Sequence, residues 1–228
     1  SLEDALELVA ARGRLMQSLP SGGEMVSVAA DEATVYEYVG ECDSEVSIAA
    51  VNGPRSIVIS GQGAAVQSVV AKLHAKDIRT TQLKVSHAFH SPLMEPILDD
   101  FRAIASKVRF RSPTQTVISN VTGQALGEAD LTAEYWVQHL RGAVRFADGI
   151  AAAQQLKVET FVEIGPRPTL LGLGRGCVGA GFGNWLPSIK PNAERETLMT
   201  SVAQLHVKGA ALDWAGFYPG KRAKVVLP

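Results

Sequence analysis

Between residues 25 and 85 the spacing of apolar residues switches from a period of two to one of 3.6 and back, twice, and few folds accept that order. Met25-Val26-Ser27-Val28-Ala29 alternates as a strand, and residues 31–39 read as a helix. Two β-rich runs follow at 46–51 and 56–60. They are separated by Asn52-Gly53-Pro54-Arg55, a turn cluster of hairpin length. Residues 62–76 carry Val66, Val69, Val70 and Leu73 at i, i+3, i+4 and i+7, the spacing of one helix face, and 78–85 is again strand-like. The order βαββαβ predicts a ferredoxin-like split βαβ subdomain over 24–85.

On either side the pattern is different. Leu2, Leu6, Val9 and Ala10 lie near helical spacing, and Ser1 with Asp4 three residues on predicts a capping box. Pro20-Ser21-Gly22-Gly23 breaks that helix. Leu93, Ile97, Leu98, Phe101, Ile104 and Val108 mark one long amphipathic helix from about Pro92. Strands are expected at 116–120, 160–164 (buried) and 185–189, and helices at 132–140, 146–156, 169–176 and 194–207. Such alternation argues for an α/β layer with a mainly parallel sheet. The expected division is a large subdomain from 1–20 and 86–209, the inserted subdomain 24–85, and a linker over 210–228. That linker carries Trp214, Phe217, Tyr218 and Pro219, then Lys221, Arg222 and Lys224.

Composition removes several function classes. The 228 residues are 46% hydrophobic and 20% charged, with 21 Gly and 11 Pro, the range of an ordinary globular chain. Lys plus Arg is 22 against 23 Asp plus Glu, a net charge of −1, so nothing points to nucleic acid or to an anionic membrane. Cys42 and Cys177 are too far apart for metal-type spacing and read as reduced thiols of a cytoplasmic protein. No apolar run reaches membrane-spanning length, and Ser1-Leu2-Glu3-Asp4 lacks the basic start of a signal peptide. The opening directly on a helix signal, without Met, reads as a piece of something longer.

Polar chemistry concentrates at Ser86-His87-Ala88-Phe89-His90-Ser91-Pro92, the junction between the small subdomain and the long helix. A histidine is the usual general base near neutral pH, and junctions are where clefts lie. The competing reading makes one imidazole a helix cap and the other a surface residue. As metal ligands His87 and His90 lack a third partner nearby. Arg12, among Val9-Ala10-Ala11, could present a bidentate fork to a carboxylate or could simply be solvated. Glu163-Ile164-Gly165-Pro166 ends a strand where a doubly wound sheet places its crevice, although Gly-Pro is commonly just a turn. No G-x-S-x-G elbow and no P-loop occurs, and Gly172-Leu173-Gly174-Arg175-Gly176 lies in the wrong context for a dinucleotide fingerprint. The residues alone therefore supply a base and an anion clamp without a nucleophile.

Several of these pieces, in this order, resemble the acyltransferase domain of a modular type I polyketide synthase, related to malonyl-CoA:acyl-carrier-protein transacylases. They are Ala5 through Gln17, Ala50-Val51-Asn52-Gly53-Pro54 with Val58-Ile59-Ser60-Gly61, His87-Ala88-Phe89-His90-Ser91, Tyr135-Trp136-Val137 through Arg145-Phe146, and Glu163-Ile164-Gly165-Pro166. The resemblance runs almost end to end. It implies an α/β-hydrolase-like large subdomain, incomplete here, with an inserted ferredoxin-like subdomain and the active site between them.

Carried over by position, the resemblance makes His90 the catalytic base and Arg12 the partner of the malonyl carboxylate. The family's specificity motif falls on His87 to His90, with Phe89 filling the space a methylmalonyl methyl group would need. His139 stands where relatives often carry Asn or Gln, whose backbone carbonyl orients the imidazole; here it could also act through its own ring. The nucleophilic serine is expected upstream of Ser1, so the 228 residues alone are expected to be inactive. No metal or redox cofactor is implied. Malonyl-CoA, an acyl carrier protein bearing phosphopantetheine, and flanking domains such as a ketosynthase are the implied partners, with no nucleic acid or membrane. The other reading is a non-catalytic module that binds a carboxylate or docks a carrier protein.

Overall fold

The computed structural model describes residues 1–217. The chain divides into two compact units, one of Ser1–Glu159 with Gly172–Gly183, the other of Thr160–Leu171 with the residues from Asn184 onward.

In the first unit, α1 (Leu2–Gln17) starts on the expected capping box: Ser1 accepts from the Asp4 amide while Asp4 reaches back to the terminal amine. The small subdomain follows as β1 (Gly23–Val28), α2 (Glu32–Val39), β2 (Val46–Gly53), β3 (Ser56–Gln62), α3 (Gly63–His74) and β4 (Thr80–Gln82). Its sheet order is β2-β3-β1-β4, antiparallel throughout, which is the ferredoxin-like topology predicted from the sequence. Successive strand residues face opposite sides of a sheet. Val26, Val28, Ile57 and Ile59 accordingly bury one face against Val35, Val66, Val69 and Leu73 of α2 and α3. Met25, Ala49 and Val58 form a second cluster, to which Phe89 and Leu83 add. A third core joins Leu8 and Leu19 to Met94, Ile97, Phe101, Val137 and Leu140. It packs α1 against the 3₁₀ segment Pro92–Ile97, α4 (Leu98–Ala105) and α5 (Ala133–Arg141). The unit continues with α6 (Phe146–Gln155).

Several expectations are corrected. The long helix from Pro92 is a 3₁₀ segment followed by a short α-helix, because Pro96 has no amide to donate, and Val108 lies beyond its end. Residues 116–120 are not a strand. Ile118 makes a single bridge to Ala125 across a turn at Gly123 (φ +69°), which satisfies the local backbone. The strand expected at 78–85 shrinks to three residues, after which Leu83 donates one last bond to Met25 O. On α1, Leu8 and Ala11 are buried, whereas Leu2, Leu6 and Val9 are exposed.

The second unit contains β5 (Thr160–Glu163), β6 (Asn184–Pro187), α8 (Glu194–Val207) and α9 (Trp214–Phe217), while α7 (Thr169–Cys177) spans the division between units. Strands β5 and β6 are parallel, and the Phe161 and Trp185 rings stack at 4.2 Å. Strand β5 is not the buried strand expected, since Val162 is exposed and β6 is its one neighbour among the described residues. The expected linker over 210–228 lies outside the described residues from Tyr218 onward. Among the described residues, no helix is long and apolar enough to cross a membrane.

Candidate active site

The loop from Ser86 to Ser91 connects the small subdomain to the 3₁₀ segment and is held from both ends. Ser91, fully buried, donates to Ala88 O at 2.6 Å and accepts from the Leu93 amide, capping the segment that follows. His87 is buried with both ring nitrogens bonded: Nε2–H donates to Leu19 O at 3.1 Å and Nδ1 accepts from Ser86 Oγ at 3.1 Å. Its ring therefore ties the loop to the end of α1 instead of offering a free nitrogen. The Phe89 ring packs on both the helical core and the outer cluster of the sheet.

His90 sits at φ +58°, a left-handed conformation that costs a non-glycine residue about 1–3 kcal/mol and persists where surrounding bonds impose it. Two bonds do so. Its carbonyl accepts from Ser47 Oγ at 3.0 Å, and its Nδ1–H donates to Gly142 O at 2.8 Å. A carbonyl can only accept, so the neutral ring carries its proton on Nδ1 and leaves Nε2 as a base. Burial lowers the His90 pKa; the bond to Gly142 opposes that shift, and the charges of Arg12 and Arg141 add to it. The ring is thus kept neutral at physiological pH, with Nε2 able to accept a proton.

The carbonyl that orients His90 belongs to Gly142, three residues after the position the resemblance suggested. Helix α5 ends at Arg141, and Gly142 leaves the helical path (φ −79°, ψ 164°), turning its carbonyl toward His90. Residues just beyond are paired to β2: Val144 N–H donates to Ala49 O and Val51 N–H to Val144 O, at 2.8 and 2.9 Å. Edge strand β2 therefore holds the base twice, through Ser47 and through the segment that carries Gly142. Arg141 reinforces this by bonding Glu95 at 3.2 Å and Ser47 Oγ at 3.4 Å. Gly142, Ser47 and Arg141 were not singled out in the sequence. A glycine just past a helix is a stop signal that could have marked position 142, but its partner His90 lies 52 residues away.

His139 projects its ring from α5 toward α1. Arg12 Nη1 donates to His139 Nδ1 at 3.1 Å. Burial first, then the charges of Arg12 and His90, push the His139 pKa down to about 4. Burial also lowers the Arg12 pKa, yet no carboxylate pairs with that cation among the described residues. The structure thus gathers Arg12, His90 and His139 into one electrostatically coupled group, while the Phe89 and His87 rings lie 6.1 Å from each other on the loop that carries His90. Glu163 lies elsewhere in the chain and caps α7 by accepting from the amides of Thr169, Leu170 and Leu171. Among the described residues no group of three His, Cys, Asp or Glu side chains could hold a metal.

A family model of the acyl transferase domain matches residues 1–212. The chain belongs to the acyl transferase domain family. It is 45% identical over 232 residues to polyketide synthase GfsA of Streptomyces halstedii, a match that takes in all of this chain and 3% of that protein. The solved acyltransferase domain from the second module of the salinomycin polyketide synthase superposes with a TM-score of 0.92 at 44% identity, over 96% of this chain and 52% of its own length. The malonyl CoA-acyl carrier protein transacylase of Clostridium perfringens gives a TM-score of 0.82 at 27% identity, over 90% and 65%. The chain spans about half the length of the salinomycin acyltransferase domain and 3% of polyketide synthase GfsA.

Proposed function

We propose that these residues form the base and the carboxylate clamp of an acyltransferase that moves a malonyl unit from CoA to an acyl carrier protein in polyketide assembly. The observation that carries this is a part-buried Arg12 with no carboxylate partner among the described residues, coupled to a histidine whose Nε2 is left basic by Gly142.

In the mechanism, His90 Nε2 takes the proton of a serine hydroxyl supplied from outside these 228 residues. The serine oxygen attacks the malonyl thioester carbon, and the C–S bond breaks. The imidazolium then returns its proton to the departing CoA thiolate. In the second half the same nitrogen deprotonates the phosphopantetheine thiol, which attacks the seryl ester, and the proton goes back to the serine oxygen. The Arg12 fork pairs with the malonyl carboxylate throughout, a contact that acetyl groups lack. Thioester exchange of this kind needs no metal or redox cofactor. A cytoplasmic setting, where CoA thioesters are available, and flanking synthase domains such as a ketosynthase complete the reading.

Kinetics on the complete acyltransferase test it. His90→Ala is expected to lower malonyl transfer by about 10²–10⁴-fold. Arg12→Ala is expected to erase the preference for malonyl-CoA over acetyl-CoA, and Phe89→Ser, with its neighbours adjusted, to raise use of methylmalonyl-CoA. Undiminished transfer by His90→Ala would sink the catalytic assignment in favour of a non-catalytic module that binds a carboxylate or docks a carrier protein.

A further inference from the structure

We propose that His139 is a specificity-positioning residue, whose imidazole Nδ1 accepts a hydrogen bond from Arg12 Nη1 and so aims the guanidinium fork at the acyl carboxylate. This rests on the reading of Arg12 as the carboxylate clamp.

An arginine can only donate, so the 3.1 Å contact requires an unprotonated Nδ1 and fixes the His139 proton on Nε2. The contact joins residues 127 apart, tying α1 to α5 at the point where both reach the site. The ring is itself confined, with centroids 5.6 Å from Trp136 and 6.2 Å from Tyr135. Tyr135 is in turn anchored by a buried bond between its hydroxyl and Ser119 Oγ at 3.0 Å. Arg12 has no carboxylate to orient it among the described residues, and a long unpaired side chain samples many rotamers. A neutral acceptor can fix one nitrogen of the fork without neutralising the charge that the substrate carboxylate must meet. A carboxylate at position 139 could not, because it would compete as an anion. The proton and charge arrangement is self-consistent: a ring held between Arg12 and His90 stays neutral, which is the state in which Nδ1 can accept.

The test compares His139→Leu, which removes the acceptor, with His139→Gln, which restores one, in the complete acyltransferase. His139→Leu is expected to raise KM for malonyl-CoA more than for acetyl-CoA and so cut the malonyl-to-acetyl preference by about tenfold, and His139→Gln to recover most of the preference. An equal loss with both substrates, or an unchanged preference, overturns the proposal. On the 228-residue chain, nitrogen NMR is expected to show His139 as the Nε2–H tautomer, with an Arg12 side-chain resonance, assigned by its loss in Arg12→Lys, that moves in His139→Leu. An Nδ1–H tautomer overturns the proposal even if a variant folds poorly. Should Arg12→Ala leave the substrate preference intact, the clamp itself fails, whereas an intact clamp with an indifferent His139→Leu refutes only the positioning role.

Discussion

His90 and His139 both have pKa values below the ordinary histidine value near 6.5, and that shift links the site to stability. The unfolded chain takes up protons on these rings as pH falls through about 6.5, while the folded chain resists doing so until lower pH. Stability contributed by the neutral rings is therefore complete above the unfolded value and is lost progressively as pH drops from about 6.5 toward the folded values. For His139 that lower limit is about 4. Arg12 acts on both rings and Arg141 on His90, and Arg12 has no carboxylate partner among the described residues, so a proton acquired on either ring would meet like charge. Denaturant midpoints measured between pH 7 and pH 4.5 are expected to fall with pH, and His139→Gln should flatten part of that slope. An unchanged slope in His139→Gln would mean that the ring is not held neutral by its neighbours.

At the scale of elements, strand β3 contains two adjacent residues with opposite expectations. Ser60 is fully buried and its hydroxyl has no hydrogen-bond partner among the described residues, so the desolvated group carries a cost without a compensating bond. Ser60→Ala is expected to stabilise the chain by about 1 kcal/mol. Gly61 lies where β2 crosses it so closely that a Cβ would stand 2.0 Å from Glu45 O. That oxygen also accepts from the Gln62 amide. Gly61→Ala is expected to cost about 1–3 kcal/mol by prising apart the β2–β3 pair, and chemical denaturation of both variants checks the two signs. The Val66, Val69, Val70, Leu73 face of α3 was legible in the sequence because burial and helical spacing coincide there, and β3 because it is a short, β-rich run buried almost from end to end. The 3₁₀ segment Pro92–Ile97 was not, because its apolar residues keep helical spacing while Pro96 removes the amide that an α-helix needs. Similarly, β4 was read too long, since Leu83 continues the apolar pattern after the ladder has ended. Position 139 showed its chemistry but not its contact. The ring meets Arg12 from 127 residues away, and no local pattern records such a distance.

For the whole molecule, His90 and Arg12, the proposed base and clamp, are assembled within one compact unit from α1, the loop after β4, β2 and the end of α5. None of the 228 residues forms the G-x-S-x-G elbow that presents a nucleophile in this kind of chemistry. A buried neutral imidazole and an unpaired guanidinium can bind and deprotonate, but without an attacking oxygen they cannot hold an acyl group covalently. Intact-mass measurement after incubation with malonyl-CoA separates the two capacities. The 228-residue chain is expected to keep its mass, whereas a polypeptide that also carries the elbow should gain one malonyl unit and lose it again on addition of a phosphopantetheinylated carrier protein. In that larger polypeptide His90→Ala should slow both the gain and the loss, because in the proposed mechanism the same nitrogen serves serine and thiol in turn. A malonyl adduct on the 228 residues themselves would overturn this division of labour, and the modified side chain, mapped by fragmentation, would be the nucleophile.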